Sequence, residues 1–365
     1  MSRPAALARE IDLELSWSER ELPERERTKH VHRLHPYLGK FVPQLAEVFL
    51  RRFGRAGTLV WDPFVGSGTT LVEANALGMP SAGCDLSAFN CLLARVKTAP
   101  YDGEAVAAEA DALIGRLGEL RRASPHAPSP ASPYLERWFA PGALRDLLAF
   151  RERLEEARYR ELWAVVLSRA ARSARLARHD DLDFPREPVR GDYFCHKHRR
   201  VCHPVREAEK FLRRYVEDAV RRVAAFADLR TDADVTVLAG DARVIDPPGS
   251  VDLVLTSPPY PGLIDYHEQH AYAFELLGLE RRDVDEIGRG LKGYCRDVAA
   301  VLRRAARALP PRGRVVIVVN DSRGLYDGIL AEANLELEER LLRHVNRRTG
   351  RRNGEYYEEV LIARP

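Results

Sequence analysis

The feature that most constrains the fold is a short apolar run that ends in an acid and is followed at once by a glycine-rich turn. The run TLVWD (58–62) leads into PFVGSG, and the helix-like stretch TTLVEANALG then stops at Gly78. A second apolar run, SAGCD (81–85), also ends in an acid and precedes the helical stretch AFNCLLARVK (88–97). This order of strand, turn, helix, strand and helix is typical of the start of a doubly wound parallel sheet.

Further strands of this kind are predicted only much later in the chain. VTVLAGDAR (235–243), VDLVLTSPPY (251–260) and PPRGRVVIVVND (310–321) each contain a strand of the buried type, and a helix is expected at 294–309. The final stretch, EYYEEVLIARP (355–365), alternates polar and apolar residues, which favours an edge strand.

The interval between these two parts has a different character. Helical patterns run over 104–121, 142–178 and 204–229, and the Ser/Pro-rich stretch ASPHAPSPASP (123–133) is expected to be a hinge. The simplest organisation is therefore one α/β sheet domain that is interrupted by a mostly helical insertion.

The composition excludes several classes of protein. Hydrophobic residues make up 45% of the chain and charged residues 30%, which is ordinary for a globular protein and excludes fibrous and disordered ones. No run approaches the ~20 apolar residues of a membrane span, and the N-terminal segment has no apolar signal region. The five cysteines are scattered, so we expect a cytoplasmic protein without a disulfide framework.

The glycine turn points to one kind of ligand. A phosphate-binding loop needs GxxxxGK[ST], and no lysine stands here, which argues against a nucleoside triphosphatase; a dinucleotide-binding GxGxxG is also absent. Asp62 at the strand tip suits a cationic amino group, and Asp85 at the tip of the second strand is placed to bind a ribose diol. Together they describe a pocket for a nucleoside with a cationic amino-acid tail, such as S-adenosylmethionine.

A second motif, TSPPY (256–260), follows a predicted strand. Two prolines remove two backbone donors and stiffen the segment, so the Ser257 hydroxyl and neighbouring carbonyls are left to accept hydrogen bonds from an exocyclic amino group. Tyr260 offers a face on which a base can stack. A proline pair with an aromatic residue is common, so this motif carries little weight by itself.

The two motifs together are specific, because DPFVGSGTT with TSPPY resembles the amino-methylating DNA methyltransferases. The resemblance implies a Rossmann-like class I methyltransferase fold: a mostly parallel, doubly wound, seven-stranded sheet, here with a mainly helical insertion. It implies S-adenosylmethionine as the cofactor and duplex DNA as the substrate. The serine before the prolines looks like the cytosine-N4 branch; adenine-N6 methylation and guanine-N2 methylation of tRNA remain as alternatives.

The resemblance also assigns residues. The catalytic ones are Ser257, Pro258, Pro259 and Tyr260. HPYLGKF (35–41), the glycine turn and GDAR (240–243) resemble the parts that bind the cofactor, which implies cofactor contacts for Tyr37, Lys40, Phe41, Asp62, Phe64, Gly66, Ser67, Gly68, Thr69, Asp85, Asp241 and Thr256. Transfer is expected to be a direct displacement on a flipped base, since no Pro-Cys nucleophile for attack on cytosine carbon 6 exists in the chain.

The domain boundaries follow from where the resemblance falls. Residues 1–34 are an N-terminal arm, 35–99 and 235–365 form the methyltransferase domain, and 100–234 are the insertion, which is the candidate target-recognition region. This insertion precedes the GDAR motif, whereas in the usual order with the cofactor motif first the recognition sequence follows the third strand.

Basic residues are concentrated in the insertion. Residues 166–206 contain ten Lys or Arg against five acids, and arginines at every third position form a stripe if the segment is helical. We interpret the cluster as a DNA contact rather than a solvated helix face. The predicted DNA-binding residues, which include two in the basic turn NRRTGRRNGE (346–355), are Arg169, Arg172, Arg175, Arg178, Lys197, Arg199, Arg200, Arg351 and Arg352.

A crowd of potential metal ligands lies in the same region. Cys195, His196, His198, Cys202 and His203 fall within nine residues, but Cys-x6-Cys matches no standard zinc finger. A plain loop is favoured and no metal is predicted. The sequence HEQH (267–270) is one residue short of the HExxH motif of zinc proteases. We further expect a monomer or weak dimer associated with the nucleoid, without a membrane partner, and the resemblance allows a separate cognate restriction endonuclease.

Overall fold

A seven-stranded sheet organises the computed structural model, which describes residues 13–123, 132–260, 266–282, 287, 290–345 and 356–365. Within these residues the strands are β1 (Val60–Asp62), β2 (Ser81–Asp85), β3 (Tyr193–Cys195), β4 (Arg200–Cys202), β5 (Val235–Ala239), β6 (Leu253–Thr256), β7 (Arg314–Val319), β8 (Glu336–Val345) and β9 (Tyr356–Arg364). The sheet has the order β5-β2-β1-β6-β7-β9-β8, and β3 with β4 forms a separate two-stranded sheet.

The connections of this sheet match the expected fold class. The first five strands of that order are parallel, and β9 runs antiparallel to both β7 and β8. The order reverses beside β1, so the carboxyl ends of β1 and β6 diverge at a crevice where ligands bind in sheets of this type. The prediction of a mostly parallel, doubly wound, seven-stranded sheet of the Rossmann-like class I methyltransferase type is confirmed.

Helices cover both faces of the sheet and build the insertion. They are α1 (Glu24–Arg27), α2 (Pro43–Phe53), α3 (Thr69–Ala76), α4 (Ala88–Thr98), α5 (Gly103–Ala123), α6 (Pro133–Trp138), α7 (Pro141–Arg153), α8 (Arg160–Ala174), α9 (Glu209–Ala227), α10 (Tyr266–Gln269), α11 (Ala271–Leu277), α12 (Leu291–Arg307) and α13 (Tyr326–Glu332). Short 3-10 turns lie at Leu13–Leu15, His30–Arg33 and Leu154–Glu156. No helix in the part of the chain that the structure describes is long and apolar enough to cross a membrane.

The interior strand β7 shows why the sheet is buried on both sides. Its alternate residues Val315, Ile317 and Val319 pack in one cluster with residues of α12 and α13. The intervening Val316 and Val318 pack in another cluster with residues of α2 and α3. A continuous apolar run of this kind is what a parallel strand covered by helices on both faces requires.

The last strand corrects one expectation. β9 is not an edge strand, because it lies between β7 and β8, and the edge strands are β8 and β5. The polar residues that suggested an edge are paired inside the sheet: Glu359 accepts a hydrogen bond from Arg340 at 2.8 Å, and Glu358 accepts one from Arg343 at 3.2 Å. The stretch that forms β8 was not predicted as a strand, because charged residues occupy much of it.

Two carboxylates of the insertion decide where its helices begin and end. The predicted helix over 142–178 is two helices, since the backbone N–H groups of Arg158 and Tyr159 donate to the Glu109 carboxylate between them. Asp146 of α7 accepts from the N–H groups of Ala208 and Glu209 (2.8 and 3.2 Å), so α9 begins there rather than at 204. Side chains distant in the chain thus satisfy free N–H groups near helix starts.

The described helices of the insertion share their core with the sheet domain. Helices α5 to α9 share one buried cluster with Phe89 and Leu93 of α4 and with Tyr272 and Phe274 of α11. The described part of the N-terminal arm is also packed, with Val31 in the same cluster. The boundaries at 34, 99 and 234 stay predictions, but the packing across them is continuous.

Candidate active site

The turn after β1 has the conformation that its glycines permit. Gly66 and Gly68 have φ of +48° and +81°, which is the left-handed region that side chains rarely adopt. A Cβ at Gly68 would lie 2.9 Å from the Cα of Ala94, so α3 and α4 are in close contact there. The N–H of Gly66 donates to Asp85 Oδ2 at 2.9 Å, which connects the turn to the tip of β2.

Asp62 is the buried centre of the site. Its Oδ1 accepts from the hydroxyl of Thr256 at 2.6 Å and from the N–H of Phe64 at 3.1 Å. Burial raises the pKa of Asp62 to about 6, although hydrogen bonds from Thr256, Thr70 and Phe64 oppose the shift. At neutral pH this side chain is therefore a carboxylate, and the Thr256 hydrogen bond connects the ends of β1 and β6 across 194 residues of sequence.

Asp85 is held at the tip of β2 by its own surroundings. Its Oδ1 accepts from the N–H of Ser87 at 2.9 Å and from Asn90 Nδ2 at 3.0 Å. Burial raises the pKa of Asp85, and these hydrogen bonds with the one from Gly66 oppose that. Oδ1 already accepts two hydrogen bonds and Oδ2 accepts one, from Gly66, so Oδ2 can accept one more, from one hydroxyl of a diol.

The turn also presents polar atoms whose partners the protein does not supply. The hydroxyl oxygens of Ser67 and Thr69 are buried and have no hydrogen-bond partner. Such atoms are uncommon in folded proteins and point to a missing ligand or water. The ring of Tyr37 stands over the turn, because a Cβ at Gly66 would lie 3.3 Å from its hydroxyl. Hydroxyl groups, a carboxylate and an aromatic ring fit the cationic and polar parts of S-adenosylmethionine.

Three other predicted cofactor residues have different surroundings. Lys40 donates to the carbonyl oxygen of His32 at 2.9 Å, and burial lowers its pKa to about 8. Phe41 is buried in the cluster beneath α2, and Phe64 packs against the cluster on the opposite face of the sheet. The contacts of Lys40, Phe41 and Phe64 described here are all within the protein, and their cofactor role stays a prediction.

Asp241 lies just beyond β5 and is paired with an arginine. The Arg243 guanidinium contacts both of its carboxylate oxygens, with Nη2 at 2.7 Å from Oδ2, and also reaches Asp297 Oδ2 at 2.9 Å. Burial opposes ionisation of Asp241, yet the hydrogen bonds from Arg243 keep its pKa below the usual value. A cofactor contact by Asp241 has to share or displace this ion pair, so that role also stays a prediction.

The predicted catalytic segment directly follows β6. Pro258 is buried, whereas Ser257, Pro259 and Tyr260 are partly exposed. Thr256, the last residue of β6, is buried, and its hydroxyl donates to Asp62. This hydroxyl therefore positions Asp62 and is not exposed to a ligand. The hydrogen bond made by Thr256 therefore fixes the start of the segment Ser257–Tyr260 beside the end of β1, where the glycine turn begins.

Sequence reasoning missed two residues that help to build the site, Lys97 and His270. Lys97 is fully buried at the end of α4 and donates to the carbonyl of Ser67 at 2.8 Å, although burial, with the nearby charge of Lys40, holds its pKa well below the usual value. His270 stacks on Tyr37 with ring centroids 5.6 Å apart. The sequence does contain a signal for Lys97: it is a charged residue in a helix whose other residues are almost all apolar or small.

The arginines around α8 correct the predicted DNA surface. Arg169 donates to Asp218 at 2.7 Å, Arg172 pairs with Asp183, and Arg175 is 2% exposed and donates to the carbonyl of Leu182 at 2.6 Å. The stripe faces the interior because acids and aromatic rings of the insertion pack over it, and α8 ends at Ala174, before the last two of its arginines.

Arg178, the fourth predicted arginine, and the basic residues of the hairpin differ in their exposure and in their partners. Arg178 is partly exposed but donates to Asp180 at 3.0 Å and to the carbonyl of Phe194 at 2.6 Å. Lys197, Arg199 and Arg200 lie in or beside the turn between β3 and β4 and are exposed, so they remain candidates for DNA contact. Arg351 and Arg352 lie outside the described residues.

Comparison with known proteins gives the family. A family model described as DNA methylase matches residues 7–95. The chain is 33% identical to the type II methyltransferase M.MjaII of Methanocaldococcus jannaschii, over an alignment that covers 93% of this chain and 81% of that protein. It is 35% identical to the type II methyltransferase M.MvaI of Kocuria varians over 74 residues, which are 20% of this chain and 16% of the relative.

Solved structures add only a distant likeness. TrmN from Thermus thermophilus is 16% identical, with a TM-score of 0.33, and the match covers 90% of this chain and 50% of that one. The rRNA methyltransferase aviRa from Streptomyces viridochromogenes is also 16% identical, with a TM-score of 0.35, over 90% of this chain and 88% of that one. Neither bears on the substrate. The match to M.MjaII, in contrast, covers most of both chains. The chain therefore belongs to the type II DNA methyltransferases that modify amino groups, with S-adenosylmethionine as the cofactor.

Proposed function

We propose that this enzyme methylates the exocyclic N4 of cytosine at a specific sequence in duplex DNA. The observation that carries the proposal is the hydrogen bond from Thr256 to Asp62, which joins the segment Ser257–Tyr260 to the cofactor turn. An amine held at Ser257 would then lie beside the pocket that contains Asp62. Positioning two reactants in this way accounts for a large part of the rate enhancement of a displacement reaction.

The residues of the segment have separate tasks. The Ser257 hydroxyl and the Pro258 carbonyl accept hydrogen bonds from the amino protons of the base, which makes the nitrogen more tetrahedral and more nucleophilic. Tyr260 stacks on the base after it has left the duplex. Pro259 has no N–H group and keeps the turn stiff.

Transfer then needs no covalent enzyme intermediate. The cofactor supplies a methyl group on a positively charged sulfur. With the cofactor bound, the amino nitrogen would form a bond to that methyl group as the sulfur–carbon bond breaks, the neutral thioether would leave with the bonding electrons, and the nitrogen would lose one proton to solvent. None of the five cysteines follows a proline, which is consistent with an attack that uses the base's own nitrogen.

DNA contact belongs to the same proposal. Lys197, Arg199 and Arg200 are exposed on one hairpin of the insertion, where they are able to pair with phosphates. They form our candidate DNA surface, and Arg351 and Arg352, which lie outside the described residues, are further candidates from the sequence alone. A separate endonuclease that recognises the same sequence would complete a restriction–modification pair.

The test is to identify the methylated nucleoside. The purified protein is incubated with labelled S-adenosylmethionine and either duplex DNA or tRNA, and the product is digested to nucleosides. N4-methylcytosine in the DNA is the expected result. N6-methyladenine or a methylated guanosine from tRNA would overturn the cytosine assignment while leaving the family membership intact.

Variants separate chemistry from binding. Ser257→Ala and Tyr260→Ala should bind the cofactor as the wild type does but lose turnover by about 100-fold. Ser250→Ala, a serine in an exposed loop before β6, is the matched control and should keep full activity. Full activity of Ser257→Ala would remove that residue from the catalytic segment.

A further inference from the structure

Four potential metal ligands converge at the base of the hairpin formed by β3 and β4. One ligand atom each from His179, Cys195, His198 and Cys202 lies within 4.8 Å of all the others. The two cysteines are buried and free, His179 is partly buried and His198 is exposed. We propose that these four side chains bind a structural zinc ion.

The distances fit one shared ion better than separate hydrogen bonds. Nδ1 of His198 is 3.6 Å from Cys195 Sγ and 3.4 Å from Cys202 Sγ. A single ring nitrogen either carries one proton or offers one lone pair, so it can make one well-directed hydrogen bond but not two. In a tetrahedral zinc site with Zn–S of about 2.3 Å and Zn–N of about 2.0 Å, a sulfur and a nitrogen ligand are separated by about 3.5 Å. Both observed separations match that edge.

The hairpin orients the two thiols towards this point. Tyr193 pairs with Cys202 and Cys195 pairs with Arg200, so both cysteines lie on one face of the two-stranded sheet. Phe194 and Val201 lie on the other face and are 52% and 56% exposed. The ligand spacings Cys-x2-His and His-x3-Cys are as short as those in known zinc modules.

His179 provides the fourth ligand from outside the hairpin. Its backbone N–H donates to the hydroxyl of Tyr193 at 3.0 Å, and its ring centroid is 5.0 Å from that of His198. The Nδ1 atom of this ring is buried without a hydrogen-bond partner. A coordinated ion would give the ring an interaction that the surrounding protein does not provide.

The neighbouring histidines are excluded by their contacts. His203 Nδ1 is 2.6 Å from Asp192 Oδ1, and the His196 ring packs edge-on against Phe194 at 5.5 Å. Neither belongs to the converging set. They therefore supply matched controls within the same short segment.

The hairpin has little apolar packing of its own within the described residues. Its hydrophobic cluster contains only Tyr193, Cys195 and Cys202, with Val189 packed beside them. An isolated two-stranded hairpin is marginally stable in water, and a structural zinc contributes folding free energy directly. The ion would bind the two thiols as thiolates with release of their protons, and it would hold the basic turn at 196–200 in one conformation.

The first experiment measures the metal itself. The full chain is purified, dialysed against zinc and then against metal-free buffer, and the zinc is quantified by mass spectrometry. About one zinc per chain is expected, and replacement by Co²⁺ should give the absorption bands of tetrahedral coordination with a thiolate charge-transfer band. Less than about 0.1 zinc per chain, or two thiols oxidised to a disulfide instead, would overturn the proposal.

Variants locate the ion. Cys202→Ser and His198→Ala should each lose at least tenfold in zinc affinity, whereas His196→Ala and His203→Ala should keep the wild-type affinity. His198 is exposed, so its substitution tests the site even if the buried cysteine variant fails to fold. Unchanged zinc binding by His198→Ala and by Cys202→Ser together would contradict the assignment.

A last measurement distinguishes a structural ion from one bound by chance. The turn contains three trypsin sites, after Lys197, Arg199 and Arg200. Removal of zinc with a chelator should speed cleavage at these sites at least tenfold in the wild-type chain. Cleavage at the same rate with and without the chelator would show that the ion does not hold the hairpin.

Discussion

The polar residues at the carboxyl ends of the parallel strands and those of the helical insertion have opposite roles. At the ends of β1 and β2, Asp62 and Asp85 each accept several hydrogen bonds. The hydroxyls of Ser67 and Thr69 in the adjoining turn are buried without partners. In the insertion, the arginines in and directly after α8 are paired with acids and aromatic rings of the insertion and of α11. One region holds polar atoms ready for a ligand, and the other uses charge to hold helices together.

The difference shows what a charged residue's sequence position can and cannot reveal. A residue at the carboxyl end of a parallel strand has its location fixed by the sheet. The exposure of an arginine on a helix depends on what packs against that helix. Arg175 is in contact with the ring of Tyr272, which is 97 residues away in the chain, at 4.5 Å from its centroid.

The largest effect that would sharpen this contrast is expected at Arg175. Arg175→Ala removes a buried hydrogen bond to the carbonyl of Leu182 and a cation–π contact with Tyr272, so we expect the free energy of unfolding to fall by about 3 kcal/mol. Chemical denaturation followed by circular dichroism measures this loss. Arg200→Ala, an exposed arginine of the hairpin, should change stability by less than about 0.5 kcal/mol.

The opposite pattern would break the contrast. If Arg175→Ala unfolds at the wild-type denaturant concentration but binds duplex DNA much more weakly, then its guanidinium serves DNA rather than packing. The role of the α8 arginines would then return to a DNA contact made after a rearrangement of the insertion.

The second-largest effect is expected on cofactor affinity, from Asp62 at the carboxyl end of β1. Asp62→Asn keeps the shape of the side chain and an acceptor for Thr256, but it removes the negative charge that suits the cationic amino group of the cofactor. A charge-assisted hydrogen bond contributes about 2 kcal/mol, so affinity for S-adenosylmethionine should fall about 30-fold. Calorimetric titration of the free enzyme measures it, with Asp246→Asn as an exposed control. Equal affinities of Asp62→Asn and wild type would exclude this contact.

A smaller effect is expected from the basic hairpin. Substitution of Lys197, Arg199 and Arg200 together by Gln removes three exposed charges. If each one pairs with a phosphate, the slope of log affinity for duplex DNA against log salt should decrease in magnitude by about 2.7. Fluorescence anisotropy with a labelled duplex at several salt concentrations measures the slope.

A matched triple variant controls for net charge. Arg25, Arg51 and Arg312 are exposed arginines outside the insertion, and their substitution by Gln changes the total charge by the same amount. Their variant should keep the wild-type slope to within about one unit. A similar reduction in both variants would mean that the hairpin acts only through overall charge.

The sheet domain was largely predictable because its signals are local. The runs that became β1, β2 and β7 are apolar on both faces and end at turn residues, which leaves few other structures for them. The glycine turn and the TSPPY segment were identified for the same reason. β8 was missed because Glu336–Val345 contains many charged residues, and those charges are paired with β9 only after the sheet forms.

The interior of the insertion was not predictable in the same way. The site at the hairpin needs His179, which is 16 residues before Cys195, and no fixed spacing in the sequence connects them. The break between α7 and α8 depends on Glu109 of α5, whose carboxylate binds two N–H groups some 50 residues later. Both features arise from contacts between distant segments, which residue patterns do not encode.

The smallest expected effect concerns the pH dependence of cofactor binding. The pKa of Asp62 in the free enzyme is about 6 because the carboxyl is buried, so the carboxylate predominates above pH 6 and is progressively protonated below it. Affinity for S-adenosylmethionine should therefore be about half its plateau value at pH 6 and should fall further below that pH, towards the ~30-fold loss expected for Asp62→Asn. Burial also raises the pKa of Asp85, which acts in the same direction.

Stability of the free enzyme should respond in the opposite direction, and this makes the assignment testable without DNA. Because the folded-state pKa of Asp62 exceeds its ordinary value near 4, the folded protein binds more protons than the unfolded chain between about pH 4 and 6. The contribution of this group to stability is then fully present below that window and is lost as pH rises through 6. Asp62→Asn should flatten both profiles together, measured by calorimetric titration and by denaturation at matched pH. A variant that flattens neither would place the titrating group elsewhere, with Asp85 as the next carboxyl to substitute.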